Sequence, residues 1–514
     1  MDNYRNMEQG GARVQATLCD RQVVTELSSD FSLPDYQPEV KRLLRVRATV
    51  APPDKYIGVG SAEFSGTVDY SILYAGNDGA LYCASQTGEY QFNVPVEMTS
   101  DFEIGDGLIC DVETVPDLTT GRVVAPRKLS LKCRLRSHVS LYGTRVLEEE
   151  INGAAPDSIQ KLKGSVECAR IFVGMGDPMQ LGDEILFDAQ SENLRVICAD
   201  AQVYVTEAIA GSGCVNCRGE VCLKLICAHE GENEAPFVQL RRIPFTQSVP
   251  TDGAEVNCDC CANGVCSDIG ITVEDGRILC EVTLRLESHA QRNERVEFTR
   301  DAYSTAAQGE SRYADCRFPL ALKCISGNFS LNTMLSMEEV GLRGGQTVVD
   351  LSLIPSVSEL TCESGKYILT GRCRCHALLH SEEDLAAQEF EIPFRYETDG
   401  SEESVTDYDV NVTPISCRAR ADGERLAVDA ELAVNIATRG ECACRILTAA
   451  SFDEAIARGG ASYTVCYPSR EDTLWTVAKR YHRSVSDIAE MNPLTGSPAA
   501  DAKDSLAGVS YLLV

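Results

Sequence analysis

Residues 65–95 read SGTVDYSILYAGNDGALYCASQTGEYQFNVP, and the chain returns to the same pattern twice, as RGEVCLKLICAHEGENEAPFVQLRRIPF at 218–245 and TGRCRCHALLHSEEDLAAQEFEIPF at 370–394. Each copy is a glycine, a run of alternating or apolar residues, a polar acidic turn and a second run ending near a proline, which is the pattern of a β-hairpin. The glycines, Gly66, Gly219 and Gly371, are spaced by 153 and 152 residues. Another strand-like run lies upstream of each hairpin, LLRVRATV at 43–50, NLRVICADAQV at 193–203 and TVVDLSLIPSV at 347–357. A further recurring run follows each one: KLSLKCRLRSHVSLYG at 128–143, GRILCEVTLRLESHA at 276–290 and ERLAVDAELAVNIA at 424–437.

Self-similarity at one period predicts a repeat architecture. Period-two patterning with frequent Val, Thr, Tyr and Cys predicts mostly antiparallel sheets. The expected organisation is mainly β: three tandem antiparallel β-sheet repeat domains at 1–155, 156–310 and 311–457, followed by a small βααβ domain at 458–514. The entry segment LPDYQPEVKRLL at 33–44 and the stretch EEDLAAQEF at 382–390 are read as short helices.

The chain has 514 residues, with 47 Lys and Arg against 77 Asp and Glu, a net charge of −30. That balance argues against a nucleic-acid backbone or an anionic membrane as partner. The N-terminal MDNYRNMEQGGARVQATLCD lacks a charged-then-apolar leader pattern, and no apolar run approaches the roughly 18 residues of a membrane span. A soluble cytoplasmic protein without membrane insertion is expected. The acidic stretches TDGSEESVTDYD at 398–409 and LEEEI at 147–151 are read as solvated faces.

Twenty-four cysteines allow three readings: small buried hydrophobes in strands, metal ligands, or thiols for later oxidative cross-linking. The metal candidates are Cys214 and Cys217 of CVNC, with Cys258 and Cys261 of CDCCANGVC, where thiolates at short spacing can share a tetrahedral ion. CVNC lies beside a strand, which argues against thioredoxin-like chemistry. The shared Leu-x-Ser-His places His138 and His289 151 residues apart, with no histidine in the third copy, so both are read as ordinary strand-end or surface residues. No phosphate loop, nucleophile elbow or zinc-helix motif is present, and neither catalysis nor a cofactor is expected.

The end of the chain differs in period. In EDTLWTVAKRYHRSVSDIAEMNP, 471–493, Leu474, Val477, Ala478 and Tyr481 fall on one helical face, with Glu471 and Asp472 supplying the N-cap and first-turn charge. Ser484 and Asp487 resemble a capping box that opens a second helix, closed by Asn492-Pro493. Tyr463-Thr464-Val465 before them and LAGVSYLLV after them supply two strands.

These residues, Tyr-Thr-Val, Asp-Thr-Leu-Trp, Ala-Lys-Arg-Tyr, Ser-Val-x-Asp-Ile and Asn-Pro, resemble a LysM module over 462–514. In that family the loops after strand one and after helix two bind glycan N-acetyl groups. The resemblance implies Asp472, Thr473, Leu474, Asn492, Pro493 and Leu494 as partner- or glycan-binding residues, with Trp475, the only tryptophan, as a packing residue of the first helix. Cys466-Tyr467-Pro468-Ser469-Arg470-Glu471 replaces the shorter basic-Pro-Gly turn of the family pattern. Three β-rich repeats, the entry motif and a C-terminal LysM together resemble the SipL-type spore morphogenetic proteins of spore-forming bacteria. That resemblance implies a noncatalytic adaptor of spore-coat assembly in the mother cell, at the forespore surface, whose LysM module docks onto a coat-basement ATPase of the SpoIVA type. The alternative is a peptidoglycan or N-acetylglucosamine-glycan binder of the cortex or envelope. Exposed edge strands leave self-association by strand addition open.

Overall fold

Along Lys128–Leu147 the side chains of Leu129, Leu131, Cys133 and Leu135 point inward and are almost completely buried, while Lys128, Lys132 and Arg134 alternate outward. This two-residue period is what a strand with one face on a core requires. It recurs throughout the computed structural model, which describes residues 12–58, 60–97, 102, 108–187, 194–229, 235–274, 276–342, 346–381, 384–456, 464–492, 506 and 509–514. The described chain is mainly β, and its two α-helices both lie in the tail. No helix among the described residues is long and apolar enough to cross a membrane.

Six large sheets pack as three pairs. In the first, Ala12–Ser32 runs antiparallel to Lys128–Leu147, which also pairs with Ile109–Ala125. The facing sheet is the meander Val40–Val50, Ser61–Gly76 and Leu81–Pro95. In the second pair Ile159–Met175 and Met179–Leu186 edge Arg277–Ser304, which hairpins with Asp259–Glu274, and the meander is Leu194–Ala210, Cys214–His229 and Phe237–Pro250. In the third, Ala307–Ser336 pairs with Arg425–Ala455, which hairpins with Asp407–Asp422, opposite the meander Thr347–Glu363, Lys366–His380 and Leu385–Asp399. Each pair encloses its own apolar core. The chain passes from the second pair to the third at Thr305 and Ala306, so the expected boundary at 310 falls inside Ala307–Ser336.

Two local expectations are corrected. The entry segment is a turn, with the Gln37 amide donating to the Pro34 carbonyl at 3.0 Å, followed by a strand from Val40. Pro34 and Pro38 cannot supply helical N–H donors, and Val40, Leu44 and Val46 bury in strand alternation. Leu385–Asp399 is a strand along its whole length, because the Lys366–His380 ladder and the burial of Ile392 and Phe394 outweigh the helix preference of its Ala and Glu residues. Glu382 and Glu383 lie outside the described residues.

The glycines have one physical reason. Gly66 stands opposite Tyr90, Gly219 opposite Phe245 and Gly371 opposite Phe394. A Cβ would meet the aromatic ring at 2.8, 2.6 and 2.4 Å respectively, so in each meander a ring lies over a strand position that has no side chain.

The three sandwiches meet one another. Leu73, Ile226 and Leu378, each seven residues beyond its glycine, share one apolar cluster. A second cluster joins Val14 and Leu147 of the first sandwich, Cys168 and Phe298 of the second, and Phe318 and Ile446 of the third. Among these contacts Asp350 of the third sandwich, 5% exposed, accepts from Arg45 of the first at 2.7 Å and Lys224 of the second at 2.8 Å. Burial opposes its charge, but the two cations hold the Asp350 carboxyl below its ordinary range.

Two consequences are measurable. Asp350→Ala leaves two cations unpaired inside the junction and is expected to lower unfolding free energy by about 3–5 kcal/mol in denaturant titration; a loss under about 1 kcal/mol, the scale of an exposed pair, would mean that the junction is solvated. Gly219→Ala sets a Cβ 2.2 Å from the Tyr204 carbonyl oxygen. It should lower the thermal midpoint by the equivalent of about 1–3 kcal/mol, and an unchanged midpoint would show that both the Tyr204 backbone and the Phe245 ring give way freely.

Candidate functional site

Two regions collect polar and aromatic groups: the tail, and a cavity between the three sandwiches.

The tail has the order strand, helix, helix, strand. Val465–Cys466 pairs antiparallel with Leu512–Leu513, around helices α1 (Leu474–Tyr481) and α2 (Val485–Met491). Tyr463, Pro493 and Leu494 lie outside the described residues. The N-cap of α1 is Thr473 rather than Asp472. Its Oγ1 accepts from the Thr476 amide at 3.2 Å, and the Thr473 amide donates to Thr476 Oγ1 at 2.8 Å. A hydroxyl on Thr476 completes this box and leaves the Asp472 carboxylate to accept from the Ser469 amide at 2.8 Å and from Arg480 at 2.6 Å. Ser484 caps α2 as expected, accepting from the Asp487 amide.

Of the loop residues assigned by resemblance, Asp472, Leu474 and Asn492 are buried and Thr473 is half-buried in its cap. Asn492 donates to the carbonyls of Ile488 and Leu513 at 2.8 and 2.7 Å and accepts from the Leu513 amide at 2.7 Å. It therefore ties the end of α2 to the last strand. The structure brings these residues together as internal supports, and their polar atoms are already occupied.

Trp475 is a packing residue, as expected, but it packs the tail onto the second sandwich. Its Nε1 donates to Asp301 Oδ2 at 2.8 Å, and its ring meets Tyr303 edge-on with centroids 4.8 Å apart. Lys479 reaches both Asp301 oxygens at 2.7 and 2.9 Å, and Tyr313 donates to the same carboxylate at 2.6 Å. Tyr303 OH donates to the Arg483 carbonyl at 2.6 Å, while His482 Nδ1 lies 2.9 Å from the Ser304 carbonyl oxygen. Val465 on the tail's two-stranded sheet, and Tyr467 and Tyr511 each next to one of its strands, are exposed by 49, 77 and 58%.

The cavity, of about 120 Å³, is lined from all three sandwiches. Each sandwich contributes the hairpin made by its last two long strands, and each hairpin carries a β-bulge opposite a leucine: Leu135, Leu284 and Leu432. Three residues past that leucine stand His138, Glu287 and Asn435, paired across the ladder with Glu113, Asn263 and Asn411. Five residues past it stand Ser140, His289 and Ala437, paired with Asp111, Cys261 and Asp409. All twelve line the cavity.

This register corrects the sequence reading of the histidines. Counted from the bulge, His138 and His289 occupy different ladder positions, and both face the cavity rather than a strand end or the outer surface. His138 contacts Asp20 at 2.7 Å and Asp409 at 3.6 Å, and those carboxylates push its pKa up to about 10. Burial opposes a charge on His289, yet Asp111 at 3.4 Å carries its pKa up to about 10 as well. Burial pushes Glu113 up to about 7, against the hydrogen bond that Asn411 donates at 3.3 Å.

Asp409 ends the acidic stretch 398–409, for which a solvated face is expected, and its position differs. It lies on Asp407–Asp422, where Arg439 binds it together with Asp407. The available signal was alternation: in DYDVN, CDVE and CCAN the polar residues recur every second position, as one strand face must present them.

None of the 24 cysteines is joined in a disulfide. Cys214, Cys217, Cys258 and Cys261 do not gather as a metal centre: Cys214 and Cys217 sit three apart on one strand and so point to opposite faces, and Cys258 accepts from the Glu255 amide. Burial holds the Cys217 thiol up at about 12, which disfavours the thiolate a metal needs. Among the described residues, the one group of three metal-ligating side chains with donor atoms within 4.8 Å of one another is Asp111, His289 and Asp409. Cys168 and Cys442, of the second and third sandwiches, stand 4.0 Å apart.

The single tryptophan reports on tail docking. Burial works against the Asp301 charge, but Lys479, Tyr313 and Trp475 hold its carboxyl below the ordinary range. Because the folded pKa is depressed, this contribution is complete above an unfolded value of about 3.9 and is lost as pH falls through the folded one. Asp301→Asn is expected to weaken docking by about 1.5–3 kcal/mol and to red-shift Trp475 emission, with the wild type following on acidification. Unshifted emission in the variant would contradict the docking. Comparison of the chain with protein-family models, with curated proteins and with solved structures finds no match.

Proposed function

We propose that the chain is a noncatalytic adaptor of spore-envelope assembly, in which three copies of one antiparallel β-sandwich domain carry a C-terminal LysM-type module. In this reading the module docks onto a coat-basement ATPase of the SpoIVA type, and the protein works in the mother cell at the forespore surface. The observation that carries it is the exposed apolar surface at the tail sheet, where Val465 and the flanking Tyr467 and Tyr511 stand in solvent while the polar groups of Asp472 and Asn492 are spent internally. Large amphipathic rings with exposed bodies are the residues protein interfaces enrich. A glycan site, by contrast, relies on polar groups free to meet hydroxyl and N-acetyl groups. Docking through Trp475 and Lys479 holds that surface fixed relative to the body, which lowers the ordering cost of binding.

The test uses the full chain, since Tyr303 and Leu162 complete the apolar core of the tail. Calorimetric titration with the ATPase should show binding that Tyr467→Ser with Tyr511→Ser weakens at least tenfold, and titration with an N-acetylglucosamine oligomer should give no heat. Sugar heat lost in the double variant, without ATPase binding, would replace the adaptor by an envelope glycan binder.

A further inference from the structure

The cavity between the sandwiches has features a simple packing junction does not need. Its wall holds four carboxylates, from Asp111, Glu113, Glu287 and Asp409, inside a junction between three apolar cores. Packing alone would be served better by apolar side chains, as at Leu73, Ile226 and Leu378. The space is also real: about 120 Å³ exceeds the ~30 Å³ that one water occupies in the liquid.

Asp111, His289 and Asp409 come one from each sandwich, and each is carried on a strand of a long paired hairpin. Their donor atoms lie within 4.8 Å of one another, and His289 Nε2 is already 3.4 Å from Asp111 Oδ1. Donors bound to one ion at about 2.0–2.2 Å stand roughly 3–3.5 Å apart, so a contraction of up to about 1.3–1.8 Å closes the set. Asp409 is fixed from behind by Arg439 on the neighbouring strand, which orients that donor by an outer partner.

We propose that Asp111, His289 and Asp409 form a binding site for a divalent transition-metal ion of the zinc class, which ties the three sandwiches together at their shared cavity. One imidazole nitrogen with two carboxylates suits zinc and its neighbours, whereas calcium and magnesium select all-oxygen shells. Cys261, opposite His289 in the ladder and on the same cavity wall, lies outside the set of donors within 4.8 Å of one another and beside Cys324, so a fourth ligand from its thiolate needs a further shift, and water is the alternative. Binding exchanges protons for the ion: His289 enters the shell neutral, and its proton, with that of Cys261 if the thiol joins, leaves to solvent.

The experiment uses the full chain, stripped with a chelator and dialysed against zinc. The wild type should retain one zinc equivalent more than Asp111→Asn, whose affinity should fall at least tenfold, and zinc should raise the thermal midpoint of the wild type but not of the variant. Cys214→Ser with Cys217→Ser should leave that equivalent in place. Zinc-edge absorption spectroscopy on the wild type reads the donors even if Asp111→Asn does not fold: a nitrogen and oxygen shell with at most one sulfur is expected. No zinc on the stripped and reloaded wild type, an all-sulfur shell, or loss of the equivalent with Cys214 and Cys217 would each overturn the proposal.

Discussion

One buried carboxylate relates the three sandwiches to one another. Asp350 pairs with both Arg45 and Lys224 from the other two, and one carboxylate can reach both only where the three meander strands converge. The surrounding apolar contacts, Leu73 with Ile226 and Leu378, supply burial without direction. The charged trio supplies the direction, because any slip of one sandwich would strand a charge in a desolvated place. The cavity and its histidines, lined from all three sandwiches, depend on the same mutual packing.

Matching ladder positions around the cavity carry different chemistry. One position holds His138, Glu287 and Asn435, the next Ser140, His289 and Ala437. Three identical side chains around a narrow centre would repel if charged, whereas unlike ones can pair, as His289 does with Asp111 and His138 with Asp20 and Asp409. Divergence among the three hairpins is thus what allows a charged interior, and it is why the third lacks a histidine without losing its place in the wall.

In the tail, helix α1 turns Trp475 and Lys479 toward Asp301. The same helix buries Leu474, Val477 and Ala478 in the tail's own core. A fifty-residue module has little core to spare, and sharing Tyr303 and Leu162 with it enlarges that core at the expense of independence.

Much of this was legible in the residues themselves. Alternation along 128–143 and 276–290 specified strands, because a strand must turn every second side chain to its core. The spacing of Gly66, Gly219 and Gly371 marked the places where a neighbouring ring needs room. In the tail, the apolar face at 474, 477 and 478 and the cap at Ser484 specified both helices, since a helix end and a helix stripe are local matters. Three things lay beyond local pattern. The segment 385–399 is a strand only because its partner 366–380 is there to bond it. The N-cap fell to Thr473 because Asp472 finds Arg480 across the turn. The pairing of His289 with Asp111, and of both with Asp409, joins residues from about 120 to 300 positions apart, and their meeting is set by bulge register and by how three sandwiches pack. Sequence determines what each strand buries on its own; which strands share a cavity is settled only when separate cores are pressed together, since that energy belongs to no single segment.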